Sequence, residues 1–457
     1  AYTSKGTSPF NIKYMFESID GTKYEEREDI TFEKTYTGET ESTIEESMIL
    51  TANGGDISVP GFKKSGFGKI KDDKTFESVK ITGDGNATVY VYYTRNSYTL
   101  TINYYYKENA TEEALTEAYK HDYKFEEAYN VTSPVIAGYT VTAGQENVTG
   151  EMVVDGTTVN VYYNTNTYSI GYDLNNDSVS GEFGATNSTS GVVRYNIRGN
   201  GSTAETGDLE SGARLKSASK AGYTFAGWEI VKITKDDKTI VTENGQSYGG
   251  WTIGAVVNAT TELVGKFGSV ELKATYTAKS FSIKFTLANM TTVGDIKSTT
   301  VTAGQAYEIG FNANTAYVLP ETITVTRKVD GKTVYEAFTN FTYDKANGLV
   351  IDAQYMIGDF EVTANGVAIE YTITYDKNGG AGTTEPTTYT IESTAKLPIE
   401  ITKTGYRFAG WLVESAVGNW EAKVYNDQAL KGMYGNVSLK AQWNANEYTV
   451  KFVTDTT

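Results

Sequence analysis

Apolar and polar residues alternate in short bursts along the 457-residue chain. In SYTLTINYYY (97–106), Tyr98, Leu100 and Ile102 share one parity and Thr99, Thr101 and Asn103 the other. A period of two is the signature of a β-strand with one buried face. The same period returns in runs beginning at Tyr168, Phe281, Tyr371 and Tyr448. Each is preceded by a second strand-like run: ATVYVYY (87–93), TTVNVYY (157–163), VELKATY (270–276), DFEVTA (359–364) and VSLKAQW (437–443). Only a few polar residues separate the two. With Phe10 as an earlier relative, the seam aromatics lie 88, 70, 113, 90 and 77 residues apart. Those are domain lengths, beyond the roughly 20–50 residues of a solenoid repeat. The pattern therefore predicts separately folded β units at 1–95, 96–165, 166–279, 280–369 and 370–446, with 447–457 as the first strand of a further unit.

A second landmark lies inside the units. AGYTFAGWEI (221–230) and TGYRFAGWLV (404–413) are nearly one sentence, and AGYTVTAG (137–144) and PGFKKSGFG (60–68) look related. Gly222 and Gly405 suit a positive φ or a close approach. Trp228 and Trp411 each follow a glycine, where a bend can turn the indole inward. The expectation is a core strand; exposed rings would instead form a glycan platform. The unit 280–369 lacks this box, although YVLPETITVT (317–326) and 343–364 read as strands. Helical signal is confined to 109–125, with Thr111 as N-cap, and to one turn near 426–435.

Composition agrees with β structure. Tyr numbers 35 and Gly 45, against 6 Pro, and Tyr, Thr and Val favour pleated surfaces. There is no Cys, which excludes disulfides and thiolate chemistry. The net charge of −17 opposes binding to nucleic acid or anionic membranes and keeps an extended chain soluble. No run of ~18 apolar residues is present to insert into a membrane. AYTSKGTSPF lacks the apolar core of a signal peptide, so a mature or excised segment of a larger protein is expected.

Candidate chemistry is sparse. His121 is the single histidine and stands among Lys and Tyr, which suits a solvated position better than a triad. One His and no Cys leave no usual zinc set. Paired carboxylates for glycoside hydrolysis need a cleft, and acidic runs such as 23–34 read as solvated surface. Asp173, Asn175 and Asp177 resemble the start of an EF-hand loop, but Gly181 and Gly184 break its spacing, so a hairpin turn is expected. N-x-S/T triplets at Asn86, Asn109, Asn130, Asn147, Asn258 and Asn289 fit turns and strands. No catalytic, cofactor-binding or metal-ligating residue is assigned, no cofactor is expected, and the chain is not expected to be an enzyme.

Two family resemblances follow from these motifs. Residues 370–446 resemble the Listeria–Bacteroides (internalin B-type) repeat through YTITYDKNGG (371–380), KTGYRFAGW (403–411), VSLKAQW and the next EYTVKF. Residues 166–279 resemble it through YSIGYDLNN, KAGYTFAGW and VELKATY, with a swollen Gly/Ser/Thr/Asn-rich middle (176–213) and Tyr276 in place of Trp443. Residues 96–165 resemble mucin-binding-protein (MucBP-like) repeats through YTLTINYYYKENATEE, YNVTSPVIAGYTV and TTVNVYY, and 1–95 is a more distant version. The resemblance implies a mostly β chain of tandem β-grasp-like (ubiquitin-like α+β) modules arranged as an extended rod. It also implies an extracellular, bacterial cell-surface location, secreted or wall-attached. The expected role is a stalk that extends a distal domain of an adhesin. The alternatives are modules that bind glycan, mucin or host protein, and a filament subunit joined by strand addition.

Overall fold

A computed structural model describes residues 5–72, 75–175, 186–187, 191–203 and 209–453. Strands dominate. Among the described residues there is one α-helix, Glu46–Ala52, and a 3-10 turn, Ala353–Tyr355.

One plan is written five times. In each unit an opening strand lies parallel to a closing strand: Thr7–Glu17 with Thr88–Arg95, Ser97–Glu108 with Thr157–Thr165, and Tyr168–Asp173 with Ser269–Ala278. Ser280–Ala288 with Gly358–Asn365, and Tyr371–Asp376 with Val437–Ala445, complete the set. The closing strand takes a central place, because an antiparallel strand covers its other edge. That strand is Phe62–Asp72, Tyr139–Val141, Tyr223–Thr234, Thr324–Val329 or Tyr406–Ala416 in turn. A short strand borders the opening strand on its far side. The first sheet therefore runs Tyr24–Glu26, Thr7–Glu17, Thr88–Arg95, Phe62–Asp72, Thr75–Glu77.

The alternation seen in sequence sets the burial. Leu100 and Ile102 are fully buried, while Thr99 is exposed. Five separate apolar cores result among the described residues, and the buried members of each come from one unit.

The AGW turn works through a bulge. The antiparallel register shifts between Phe225 and Gly227 and again between Phe408 and Gly410. Gly227 and Gly410 take φ of 140° and 124°, and a Cβ would lie 2.7 and 2.8 Å from the carbonyl oxygens of Val257 and Tyr425. Glycine is required there, and the bulge swings the next side chain to the core face. Trp228 and Trp411 are fully buried, with Nε1 donating to the carbonyls of Lys216 (2.6 Å) and Pro398 (2.7 Å).

The third and fifth units share a second buried device. Trp251 Nε1 donates to the Tyr195 hydroxyl and Trp420 Nε1 to the Tyr389 hydroxyl, both at 2.7 Å. Those hydroxyls donate in turn to the carbonyls of Gly268 and Gly435. Tyr195 comes from the swollen segment 176–213, whose strand Arg194–Tyr195 borders Tyr168–Asp173 as Thr388–Tyr389 borders Tyr371–Asp376.

Both helical expectations are corrected. Asn109 adopts a φ of 54° and reverses the chain, so Thr111–Ala114 pairs back on Tyr105–Glu108. Tyr119–Lys124 then pairs with Ser97–Ile102. Long-range pairing outweighs a weak local helix signal, and it places Tyr119 and Tyr123 against the second core. In 426–435, Asp427 takes a φ of 52°, and Leu430 is buried with its amide bonded to Ala395 O. Residues 447–453 lie outside any strand, with Tyr448, Val450 and Phe452 exposed.

Candidate functional site at the module junctions

The seams share one hydrogen bond. The residue that leaves a closing strand donates its amide to the carbonyl of the residue that starts the glycine–aromatic segment. Asn96 bonds Gly61, Asn166 bonds Gly138, Lys279 bonds Gly222, Ile369 bonds Ala316 and Asn446 bonds Gly405, each at 2.9 Å. The five acceptors have φ of 82°, 84°, 80°, 70° and 79°. A left-handed residue aims its carbonyl back across the end of the sheet, which is glycine's usual province. The fourth unit uses Ala316 instead. Its box is therefore present as Ala316–Tyr317, with alanine where the other units have glycine. The positive φ of an alanine leaves no sequence signal. Its strand is also interrupted, with Tyr317–Val318 pairing Val367–Ala368 before Thr324–Val329 resumes beyond Pro320.

The first joint is ionic and aromatic. Phe125, from the second unit, packs edge-on against Phe62 at 5.5 Å and joins the border of the first core. Gly61 makes room for it, since a Cβ there would lie 2.2 Å from the Phe125 ring. Arg95 is nearly buried (side chain 9% exposed) and donates to Glu17 O (2.8 Å), Phe125 O (2.7 Å) and Glu126 Oε2 (2.7 Å). Arg27 adds two bonds to Glu126, at 2.6 and 2.9 Å, and also grips Asp29. Arg27, and then Arg95, hold the Glu126 carboxyl below its usual range although burial opposes them. Both guanidiniums lie over the Phe62 ring.

The second joint is built on Asp236 and Arg198. Asp236 accepts from the hydroxyls of Tyr168 (2.6 Å) and Tyr248 (2.9 Å), from Asn166 Nδ2 (3.1 Å) and from the amide of Gly138 in the second unit (3.4 Å). Burial alone would raise its pKa, but these donors hold it low. Arg198 forks onto Glu113 of the second unit and lies 4.8 Å from the Tyr106 ring centroid. The third joint has Lys279 Nζ on Asp330 at 2.6 Å, with Gly222 facing Ala303 and Ile357. The fourth has less: the Tyr317 hydroxyl donates to Glu392 at 3.0 Å, and Asn289 Nδ2 donates to the same carboxylate at 3.5 Å.

The residues weighed for chemistry fall elsewhere. His121 sits on Tyr119–Lys124, exposed, with its ring edge-on to Tyr123 at 4.8 Å. Trp228 and Trp411 offer no platform, because both are buried. Asp173 and Asn175 form a turn in which Asp173 Oδ1 accepts from Asn175 N at 2.9 Å and Asn175 Nδ2 donates to Ala274 O at 3.1 Å. Asp376, Asn378 and Ala441 repeat it at 2.8 and 3.1 Å. Asp177, Gly181 and Gly184 lie outside the described residues. Among the described residues there is no cluster of three acidic or His side chains fit to hold a metal, and no helix is long and apolar enough to cross a membrane.

A family model for the Listeria-Bacteroides repeat domain matches residues 371–442, within the fifth unit. Among solved structures, the chain is similar to the Bacillus anthracis TIE protein at 9% identity and a TM-score of 0.23, covering 81% of this chain and 67% of that one. It is similar to the pilus adhesin SpaC from Lactobacillus rhamnosus GG at 11% identity and a TM-score of 0.18, covering 64% of this chain and 47% of that one. The chain thus spans about half the length of that adhesin. No curated protein matches the sequence.

Proposed function

We propose that the chain is a non-catalytic spacer of a bacterial surface adhesin, with its five units as β-grasp-like modules in an extended rod. In this reading the modules are 1–95, 96–165, 166–279, 280–369 and 370–446, the first two of them MucBP-like, and the protein is extracellular. The observation that carries it is the repeated 2.9 Å bond from each seam to a left-handed residue. Seams of one residue at Asn96 and Lys279 are too short for free tumbling. Because opening and closing strands run parallel, the chain comes in at one end of each sheet and leaves from the other. Small-angle scattering tests this. The expected outcome is a maximum dimension several times that of one unit, and a compact globule overturns it.

A second reading, direct binding of an uncharged glycan, is favoured by the outer face of the second sheet. Thr101 and Thr158, Asn103 and Asn160, and Tyr105 and Tyr162 stand there in three uncharged rows, bordered at one end by the pair Lys107–Glu112, to which the Tyr162 hydroxyl donates. Asn103 Nδ2 bonds Asn160 Oδ1 at 2.9 Å, and the two tyrosine rings are 6.4 Å apart. The comparable faces of the last three units carry the ion pairs Lys232–Glu271, Lys284–Glu361 and Asp376–Lys440. Sugars stack on phenol rings and pair with amides and hydroxyls. A glycan array probed with the intact chain and with the double variant Tyr105→Ala/Tyr162→Ala tests it. Binding lost in the variant supports it, and no binding by either removes it.

A further inference from the structure

We infer that each unit is a force-bearing clamp, in which tension along the chain loads the parallel ladder between opening and closing strands in shear. The geometry requires only that tension arrive through the seams. The opening strand is pulled back towards its start and the closing strand forward towards its end. Since the two are parallel neighbours, they can separate only by sliding past one another, so every backbone hydrogen bond of the ladder shares the load at once. Antiparallel neighbours pulled from their open end come apart one bond at a time, and each such bond contributes only about 0.5–1.5 kcal/mol net.

The ladders differ in length. The second unit pairs Leu100–Tyr106 with Thr157–Tyr163, a seven-residue register. The first pairs Asn11–Phe16 with Thr88–Tyr93 and the fourth Ile283–Ala288 with Phe360–Asn365, six residues each. The third pairs Ile170–Asp173 with Val270–Lys273 and the fifth Ile373–Asp376 with Val437–Lys440, four each. Side chains tie across the same ladders: Asn103 to Asn160 at 2.9 Å in the second unit, Lys284 to Glu361 at 3.8 Å in the fourth and Lys440 to Asp376 at 3.4 Å in the fifth. Sliding also drags buried Leu100, Ile102 and Tyr104 past Val161 and Tyr163. The joint contacts yield first, because among the described residues no backbone ladder runs from one unit into the next. The second unit is thus the last to open, and the third and fifth the first.

The chain has no cysteine, so added thiols are unique attachment points. Single-molecule stretching of the full chain between Lys5→Cys and Glu447→Cys is expected to give discrete ruptures identifiable by length. At about 3.5 Å per residue, Tyr168–Ala278 releases about 390 Å of chain and Ser97–Thr165 about 240 Å. The long step is expected among the first and the 240 Å step last. The control is the same chain held at Thr140→Cys and Asn164→Cys, two exposed neighbours on the antiparallel pair Tyr139–Val141 with Tyr163–Thr165. It is expected to peel at a several-fold lower force. The double variant Asn103→Ala/Asn160→Ala, on the outer face of the sheet, is expected to lower the rupture force of the 240 Å step alone. Equal force in the two pulling geometries, or the 240 Å step appearing among the first, overturns the inference. A compact shape in scattering would remove the spacer reading and leave this test standing.

Discussion

The first and fourth joints do the same task with different chemistry. At the first, an aromatic plug and two arginines close over Glu126, and the contacts reach from the surface into the first core. At the fourth, the backbone fixes the exit from the fourth unit, with Ile369 bonded to Ala316 and Val367–Ala368 paired with Tyr317–Val318, and only Tyr317 and Asn289 reach across, to Glu392. The shared seam bond sets the direction of the next strand. The side chains decide how firmly the next unit is held. A joint closed by side chains responds to mutation and to pH; one made of backbone is nearly indifferent to both.

The largest effect is expected at Gly61. Gly61→Ala places a methyl into the Phe125 ring and forces a left-handed alanine, which adds about 1–2 kcal/mol of backbone strain to about 1–3 of overpacking. Hydrogen exchange at the Asn96 amide, bonded to Gly61 O, should accelerate most in this variant. Gly405→Ala is the matched control, since nothing lies within 4 Å of its Cβ position, and only the strain of about 1–2 kcal/mol is expected. Equal losses in the two variants would mean that the plug contributes nothing.

Arg95→Ala comes next. It removes charged hydrogen bonds to Glu126 and to two carbonyls, and a loss of about 2 kcal/mol of docking free energy is expected. That corresponds to about 30-fold faster exchange at the Asn96 amide, at about 1.4 kcal/mol per tenfold.

Acid should distinguish the joints without mutation. Glu126 has a lowered pKa when docked, so the docked state binds fewer protons and gains stability with rising pH. The gain is complete above the ordinary carboxylate range, about pH 4.3, and is lost as pH falls through the lowered value. Arg27, Arg95, Asp29, Glu17 and Lys124 face the cluster; Asp29 is lowered by Arg27 of its own unit, so that pair bears on the first unit's stability and not on docking. Exchange across the first joint should quicken in acid before exchange across the fourth; simultaneous loosening would contradict the comparison.

The smallest effects belong to the fourth joint. Tyr317→Phe removes one exposed hydrogen bond and should cost under about 0.5–1 kcal/mol in thermal unfolding. Ala316→Gly should be close to neutral. Relief of about 1–2 kcal/mol of strain is offset by a buried methyl of about 0.8 and by extra freedom of about 0.4–1 in the unfolded chain.

Much of this could be read from residues. Alternation placed the opening and closing strands, since burial on one face demands a period of two whatever the partner. Gly222, Gly405 and the AGW boxes marked the left-handed turns and the inward tryptophans, because few residues other than glycine tolerate those backbones. The reading failed where distant contacts decide. The 109–125 segment has helix-forming residues, yet pairing with Ser97–Ile102 makes it two strands. Tyr195 looked like part of a polar insertion, but it occupies the place of Tyr389 and satisfies a buried tryptophan.

The sequence by itself determined a β chain of repeated units, their seams and their glycine turns, because these depend on local period and on the few residues that accept positive φ. The tertiary structure alone decided which strands run parallel, that Ala316 stands in for glycine, and that Arg27 and Arg95 close on Glu126 across the first seam. Those depend on the free energy of groups far apart in the chain, whose meeting no local pattern encodes.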